Sequence, residues 1–276
     1  MRKNKHFLLI KLFIGIAIVI CGIFLLGTCG NQASQVSDPP QLPLVAVTFD
    51  DGDTTNFTKG FRILKEYNSR WSATMFVCGA YPWGGIYLNT SQLHEMQANG
   101  WEIGARAYTH EHLAEFPMDS VVWQVNSVYD FLVKNNFSHE SFAYPYGSCN
   151  AKIRSVVRSK FHNIRGSADA HYPDGVDPTD LGYYPVYNNN TVSDICNRVN
   201  EARVNGEPLV IIGFHVILPD SAYVAPGARC KESTYRGFLD YLKKNNLRAC
   251  SIRDAIDELQ KRNICKSLTR SIQCGY

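Results

Sequence analysis

The chain has 276 residues, 45% of them hydrophobic and 19% charged, enough apolar material for one barrel-sized domain and too much for large-scale disorder. Its net charge of +3 is concentrated at the start, at Arg2, Lys3, Lys5 and Lys11; setting these four aside leaves 24 basic residues against 25 acidic. That balance gives no electrostatic footprint for a phosphate backbone and excludes nucleic acid as the expected partner.

The first element, residues 1–30, reads as a targeting segment. A basic start precedes an apolar stretch from Phe7 to Gly27 that only Lys11 interrupts. A charged beginning and an apolar middle suit a signal peptide, and the length equally suits a membrane anchor with Lys11 snorkelling. Positive charge ahead of the stretch places the remainder of the chain on the extracellular side of the membrane, anchored there or secreted after cleavage. Residues 31–43, with Pro39-Pro40 among Gln, Ser and Asp, read as a linker. Beyond it lie Cys78, Cys149, Cys196, Cys230, Cys250, Cys265 and Cys274. Their number is odd in a compartment that permits disulfides, so at least one is expected to stay free or to pair between chains.

The folded domain is expected over residues 44–276. Short apolar runs at 44–49, 73–78, 102–104, 141–144, 183–186 and 209–214 read as strands. Helix-period stretches separate them, at 57–67, 91–99, 192–202, 235–245 and 252–259. The clearest is 118–133, where Val121, Val122, Val125, Val128, Tyr129, Leu132 and Val133 share one predicted face. Strands alternating with helices predict an α/β fold with a parallel sheet, as an (α/β) barrel or a doubly wound sheet.

In either architecture the active site lies at the C-terminal ends of the strands, so polar residues just after apolar runs are the candidates. Asp50-Asp51 follows the first run, His110 comes shortly after Ile103-Gly104, and His215 ends the run 209–214. Two adjacent carboxylates at a buried strand end repel each other unless a cation or a shared proton compensates. Asp51 and His110 are therefore candidate ligands of a divalent metal, with zinc suited to histidine plus carboxylate. Asp50, kept ionised by that cation, is the candidate base.

The order and spacing of these segments resemble the polysaccharide deacetylases (the NodB homology domain, carbohydrate esterase family 4). Thr48-Phe49-Asp50-Asp51-Gly52 is similar to the family's first motif, and Ala73-Thr74-Met75-Phe76-Val77 to the strand after it. Glu102-Ile103-Gly104 with Tyr108-Thr109-His110 corresponds to the second motif, Phe142-Ala143-Tyr144-Pro145-Tyr146-Gly147 to the third, and Ile212-Gly213-Phe214-His215 to the last. The resemblance implies a single distorted (β/α) barrel that hydrolyses acetyl groups on an extracellular polysaccharide or oligosaccharide with a divalent metal. Carried over by position, Asp50 is the base, Asp51 and His110 are metal ligands, His215 is the general acid, and the Tyr146 backbone N–H holds the oxyanion.

Two departures qualify this. The family's first metal-binding histidine is Arg106 here, leaving two matched ligands where a catalytic zinc keeps three. His112, Glu111, His94 and His171 are the candidates for the third place; alternatively Arg106 pairs with Asp51 and the chain is a weakly active or inactive glycan-binding module. The second is Ala143, where many members carry an arginine that orients the base aspartate. In either case Trp83, Tyr87, Tyr144, Tyr146, Tyr172 and Tyr223 are candidate sugar-stacking aromatics.

Overall fold

The computed structural model describes residues 42–81 and 84–262, all in the compact unit that begins at Pro40. The predicted targeting segment, the predicted linker up to residue 41, Trp83, Cys265 and Cys274 lie outside the described residues. No helix among the described residues is long and apolar enough to cross a membrane.

Strand β1 (Leu44–Phe49) is buried along its whole length, as is β7 (Leu209–Phe214), and the two pair in parallel at all six positions. Continuous apolar runs of this kind suit strands covered on both faces. Between them come β2 (Thr74–Val77), β3 (Glu102–Ala105), β4 (Ser141–Ala143), β5 (Asn163–Arg165) and the two-residue β6 (Tyr184–Pro185). The parallel sheet runs β5-β4-β3-β2-β1-β7-β6, with β10 (Ala249–Cys250) paired to the start of β1. The outer strands β5 and β6 do not pair with each other; a single parallel bridge from Arg165 to Leu181 borders that gap. The result is the distorted, open (β/α) barrel that the family resemblance implies, one of the two architectures the alternation of runs left open. A separate two-stranded sheet joins β8 (Val216–Leu218) to β9 (Arg229–Lys231).

A π-helical stretch, Asn56–Phe61, runs on into α1 (Arg62–Tyr67). The crossover helices are α2 (Thr90–Ala98), α3 (Met118–Lys134), α4 (Ala151–Arg158), α5 (Val192–Val204), α6 (Glu232–Lys244) and α7 (Ile252–Lys261). Polar caps set several starts: Asn89 and Thr191 form capping boxes with Gln92 and Asp194, and Asn150 and Ser251 accept from backbone N–H groups in the first turn. In α3 the apolar seam is narrower than its sequence suggests. Val121, Val125, Val128 and Leu132 are buried, whereas Val122 and Val133 are exposed and Gln124 turns inward instead.

The five described cysteines, Cys78, Cys149, Cys196, Cys230 and Cys250, are all free thiols.

Candidate active site

The loops leaving β1, β3 and β4 converge at the C-terminal end of the barrel, and each contains a non-glycine residue in the left-handed region. These are Asp51 (φ 71°), Ala107 (φ 58°) and Tyr146 (φ 55°). Such backbone costs about 1–3 kcal/mol per residue and collects where surrounding structure over-determines it, commonly at functional sites. The Asp50 backbone is fixed twice: its N–H donates to the Phe214 carbonyl (2.9 Å) and its carbonyl accepts from Asn56 Nδ2 (3.2 Å). Gln124 anchors the loop after β3, accepting from the N–H groups of Tyr108 (3.0 Å) and Thr109 (2.7 Å). A buried glutamine aimed at a loop has no signature in the apolar pattern of α3.

Two arginines organise the carboxylates. Arg165, at the end of β5 and 1% exposed, directs Nη2 at both oxygens of fully buried Asp50 (2.9 and 2.7 Å). Its guanidinium lies against the rings of Phe76 (5.0 Å) and Tyr183 (3.8 Å). Arg106 reaches Asp50 with Nη1 (2.8 Å) and Asp51 with Nε (2.6 Å). Burial alone would raise the carboxyl pKa of Asp50, but Arg106, Arg165 and His215 together hold it below the ordinary aspartate value. Asp51 follows the same logic: burial opposes ionisation, and His110 and Arg106 overcome it and lower its pKa. Both aspartates are thus ionised, and their two charges are balanced by two guanidinium groups.

The expected site residues do come together. His110 Nε2 lies 3.0 Å from Asp51 Oδ1, and His215 Nε2 lies 3.6 Å from Asp50 Oδ2 and 4.0 Å from Asp51 Oδ2. Tyr146 stands beside them, its hydroxyl 3.0 Å from His110 Nδ1. Burial, reinforced by Arg106 and Arg165, pushes the His215 imidazole below its ordinary value despite the two aspartates. Its Nδ1 is buried and has no hydrogen-bond partner among the described residues. A general acid must carry its proton at working pH, so His215 as it stands is biased toward the form that cannot donate.

Three of the four candidates for a third metal ligand are engaged elsewhere, and the fourth, Glu111, is exposed. His112 stacks on Tyr146 (centroids 4.0 Å apart, 8° between planes), His94 packs on Phe137, and His171 bonds Glu207 (2.7 Å). Arg106 Nε instead approaches both His110 Nε2 (3.1 Å) and Asp51 Oδ1 (2.6 Å). A fixed cation therefore contacts both donors a metal would need, and no cluster of three metal-ligating side chains exists among the described residues. A divalent ion does not fit this donor set, because it would have to displace a buried guanidinium that holds both carboxylates.

Beside Asp51 opens a shallow pocket of about 170 Å³ lined by Gly52, Val77, Cys78, Tyr81, Tyr87 and Leu88, with the Tyr81 and Tyr87 rings stacked at 4.8 Å. Of the other aromatics, Tyr146 and Tyr223 are exposed, at 53% and 85%. Tyr144 and Tyr172 are core residues, 4% and 6% exposed, and have no face to offer a sugar.

A parallel α/β barrel with paired aspartates at the end of β1 and a histidine at the end of β7 defines the class: an open (β/α) barrel with its polar centre at the strand ends. The family model described as polysaccharide deacetylase matches residues 37–162, somewhat under half of the chain. Solved structures share the fold at low identity. The Xyl-CE4 domain of a multidomain xylanase from the hindgut metagenome of Trinervitermes trinervoides is 17% identical, with a TM-score of 0.54 over 81% of this chain and 92% of that one. Peptidoglycan deacetylase PdaC from Bacillus subtilis is 18% identical, with a TM-score of 0.52 over 82% and 95%. A CE4 family pseudoenzyme from Bacillus anthracis is 17% identical, with a TM-score of 0.55 over 80% and 67%. No curated protein sequence matches the chain. Over residues 37–162 the chain is thus similar to the polysaccharide deacetylase family, and its fold is that of carbohydrate esterase family 4 structures.

Proposed function

We propose that this chain engages acetylated polysaccharide or oligosaccharide on the extracellular side of the membrane, and that Arg106 holds its deacetylase centre in a metal-free, weakly active or inactive form. The family supplies the substrate class, and the basic, apolar N-terminal segment supports the location. One observation carries the catalytic state: the Arg106 guanidinium bridges Asp51 and His110, the two side chains that would otherwise hold a divalent ion. The same guanidinium and Arg165 leave Asp50 a poor proton acceptor, since its charged form is the one both arginines stabilise. Stacked Tyr81 and Tyr87 next to Asp51, and Tyr146 across from it, offer the apolar faces that sugar rings take.

Metal-dependent hydrolysis by the parent chain is the second reading, favoured by the survival of Asp50 and His215 3.6 Å apart. A mutant of the Bacillus anthracis pseudoenzyme has restored enzymatic activity, which makes the idea of a dormant centre on this barrel concrete. The parent chain and R106H separate the two readings, with zinc content, oligosaccharide binding and acetate release measured on both. Acetylated amino-sugar oligomers should bind to the parent without measurable acetate release or retained zinc, and R106H should retain zinc and release acetate. Zinc-dependent acetate release by the parent, abolished in D50A, would establish the second reading instead.

A further inference from the structure

We propose that Arg165 is the positioning residue of this centre, having taken over from the neighbouring strand the role that the Ala143 position leaves empty. This rests on reading Asp50 as the carboxylate that faces the acetyl group. Ala143 and Arg165 are direct partners in the parallel ladder between β4 and β5, so their side chains leave the same face of the sheet at the same height. Ala143 is fully buried and belongs to the same apolar cluster as Phe76 and Tyr183, the two rings that flank the Arg165 guanidinium. A methyl group at 143 therefore opens onto the space that the Arg165 side chain occupies. From there Arg165 meets both Asp50 oxygens at 2.9 and 2.7 Å, and its Nη1 donates to the Gly166 carbonyl (3.1 Å).

The mounting is specific to an arginine. Flat rings on the guanidinium, with Nη1 tied to the Gly166 carbonyl while Nη2 meets the carboxylate, fix its plane as well as its charge, which a lysine ammonium cannot reproduce. One of those rings depends on Gly213 in β7, where a Cβ would come within 2.2 Å of Tyr183 Cδ2. Glycine there lets Tyr183 lie over the strand and press on Arg165. Four strands thus contribute to one contact: β1 brings Asp50, β5 the arginine, β4 the space beside it, and β7 the clearance for the covering ring.

The test uses the full chain with R165A, R165K, A143R and the A143R/R165A pair, each in the parent and in R106H. In R106H, R165A should lower kcat for acetate release by about 100-fold while KM and zinc content hold, as expected when a reacting group is displaced by about an ångström. R165K, which keeps the charge without the planar group stacked between the rings and its bond to Gly166, should recover little of it, and A143R added to R165A should recover at least about tenfold. In the parent, where no turnover is needed, R165A should lower the unfolding midpoint by on the order of 10 °C, and A143R should return much of that loss. An inactive R106H would count against the proposed function alone, because the melting series still reads the Arg165 contact. A kcat and midpoint indifferent to R165A, or a loss that R165K restores in full, or one that A143R leaves untouched in both series, would overturn the assignment.

Discussion

Two fully buried carboxylates stand at opposite ends of this barrel, and they are handled in opposite ways. At the C-terminal ends of the strands, Asp50 is paired with two guanidinium groups and its pKa is lowered. At the N-terminal ends, Glu102 opens β3 without an ion pair: it accepts from Ser141 Oγ (2.5 Å), Thr74 Oγ1 (2.7 Å) and the Arg253 N–H (3.1 Å). Burial dominates there, and the Glu102 pKa is raised despite those donors. Thr74 Oγ1 also accepts from the Ile252 N–H (2.8 Å), so the Glu102 network ties β2, β3 and β4 to the start of α7. The upper carboxylate is held charged by its ion pairs; the lower one is a hydrogen-bonded latch that closes the bottom of the sheet. The division of (β/α) barrels into a polar end and a stabilising end shows here in the electrostatics of two single residues.

The largest expected effect breaks the upper end. D50N removes the shared partner of Arg106 and Arg165; Arg106 keeps Asp51, but Arg165 is left a buried cation without a carboxylate, so urea unfolding at pH 7 should show a loss of about 3–5 kcal/mol. At the lower end E102Q keeps the shape and misaligns one donor, for which a loss of about 1–3 kcal/mol is expected. Equal losses at the two ends would dissolve the distinction between an ion-paired and a hydroxyl-bonded carboxylate.

The pH dependence sharpens the same contrast through its sign. Asp50 has a folded pKa below its ordinary 3.8, so the stability it supplies is present above that value and is lost as pH falls below it. The stability gap between parent and D50N should therefore widen as pH rises from about 3 to 5. Glu102 has a folded pKa above its ordinary 4.5, so its contribution is complete below that value and is lost as pH rises through the folded one. The gap between parent and E102Q should narrow as pH rises, the reverse slope. The smallest effect is at His215, whose lowered folded pKa makes the parent lose stability as pH falls through 6.5. Replacement by glutamine should remove that limb from a melting profile between pH 7 and 5, and a profile unchanged in H215Q would place the limb on another histidine.

Much of the upper end was legible in the sequence. Asp50, Asp51 and His215 end apolar runs, and in a parallel sheet that position alone assigns them to one rim. Arg106 was legible as a residue of the wrong charge in a ligand's place. Arg165 was not, because Asn163-Ile164-Arg165 is too short and too polar to read as a strand, and nothing local ties an arginine to an aspartate 115 positions earlier. Helix α4 was hidden for a related reason: Ala151–Arg158 alternates basic and apolar residues and buries only Ile153 and Val157. Gln124 and Glu102 were hidden because polar side chains turned inward look, in sequence, like polar side chains turned outward.

By itself the sequence determined the alternation of strands and helices, the rim on which the candidate site lies and the arginine that stands in an expected ligand's place, since each depends on local pattern or on matched position. The tertiary structure alone decided what balances the two aspartates. That answer depends on the register of β5 against β4 and on the path of a guanidinium through the barrel interior. Charge compensation in a buried site is set by which side chains packing brings within about 3 Å, and sequence separation carries no record of that distance.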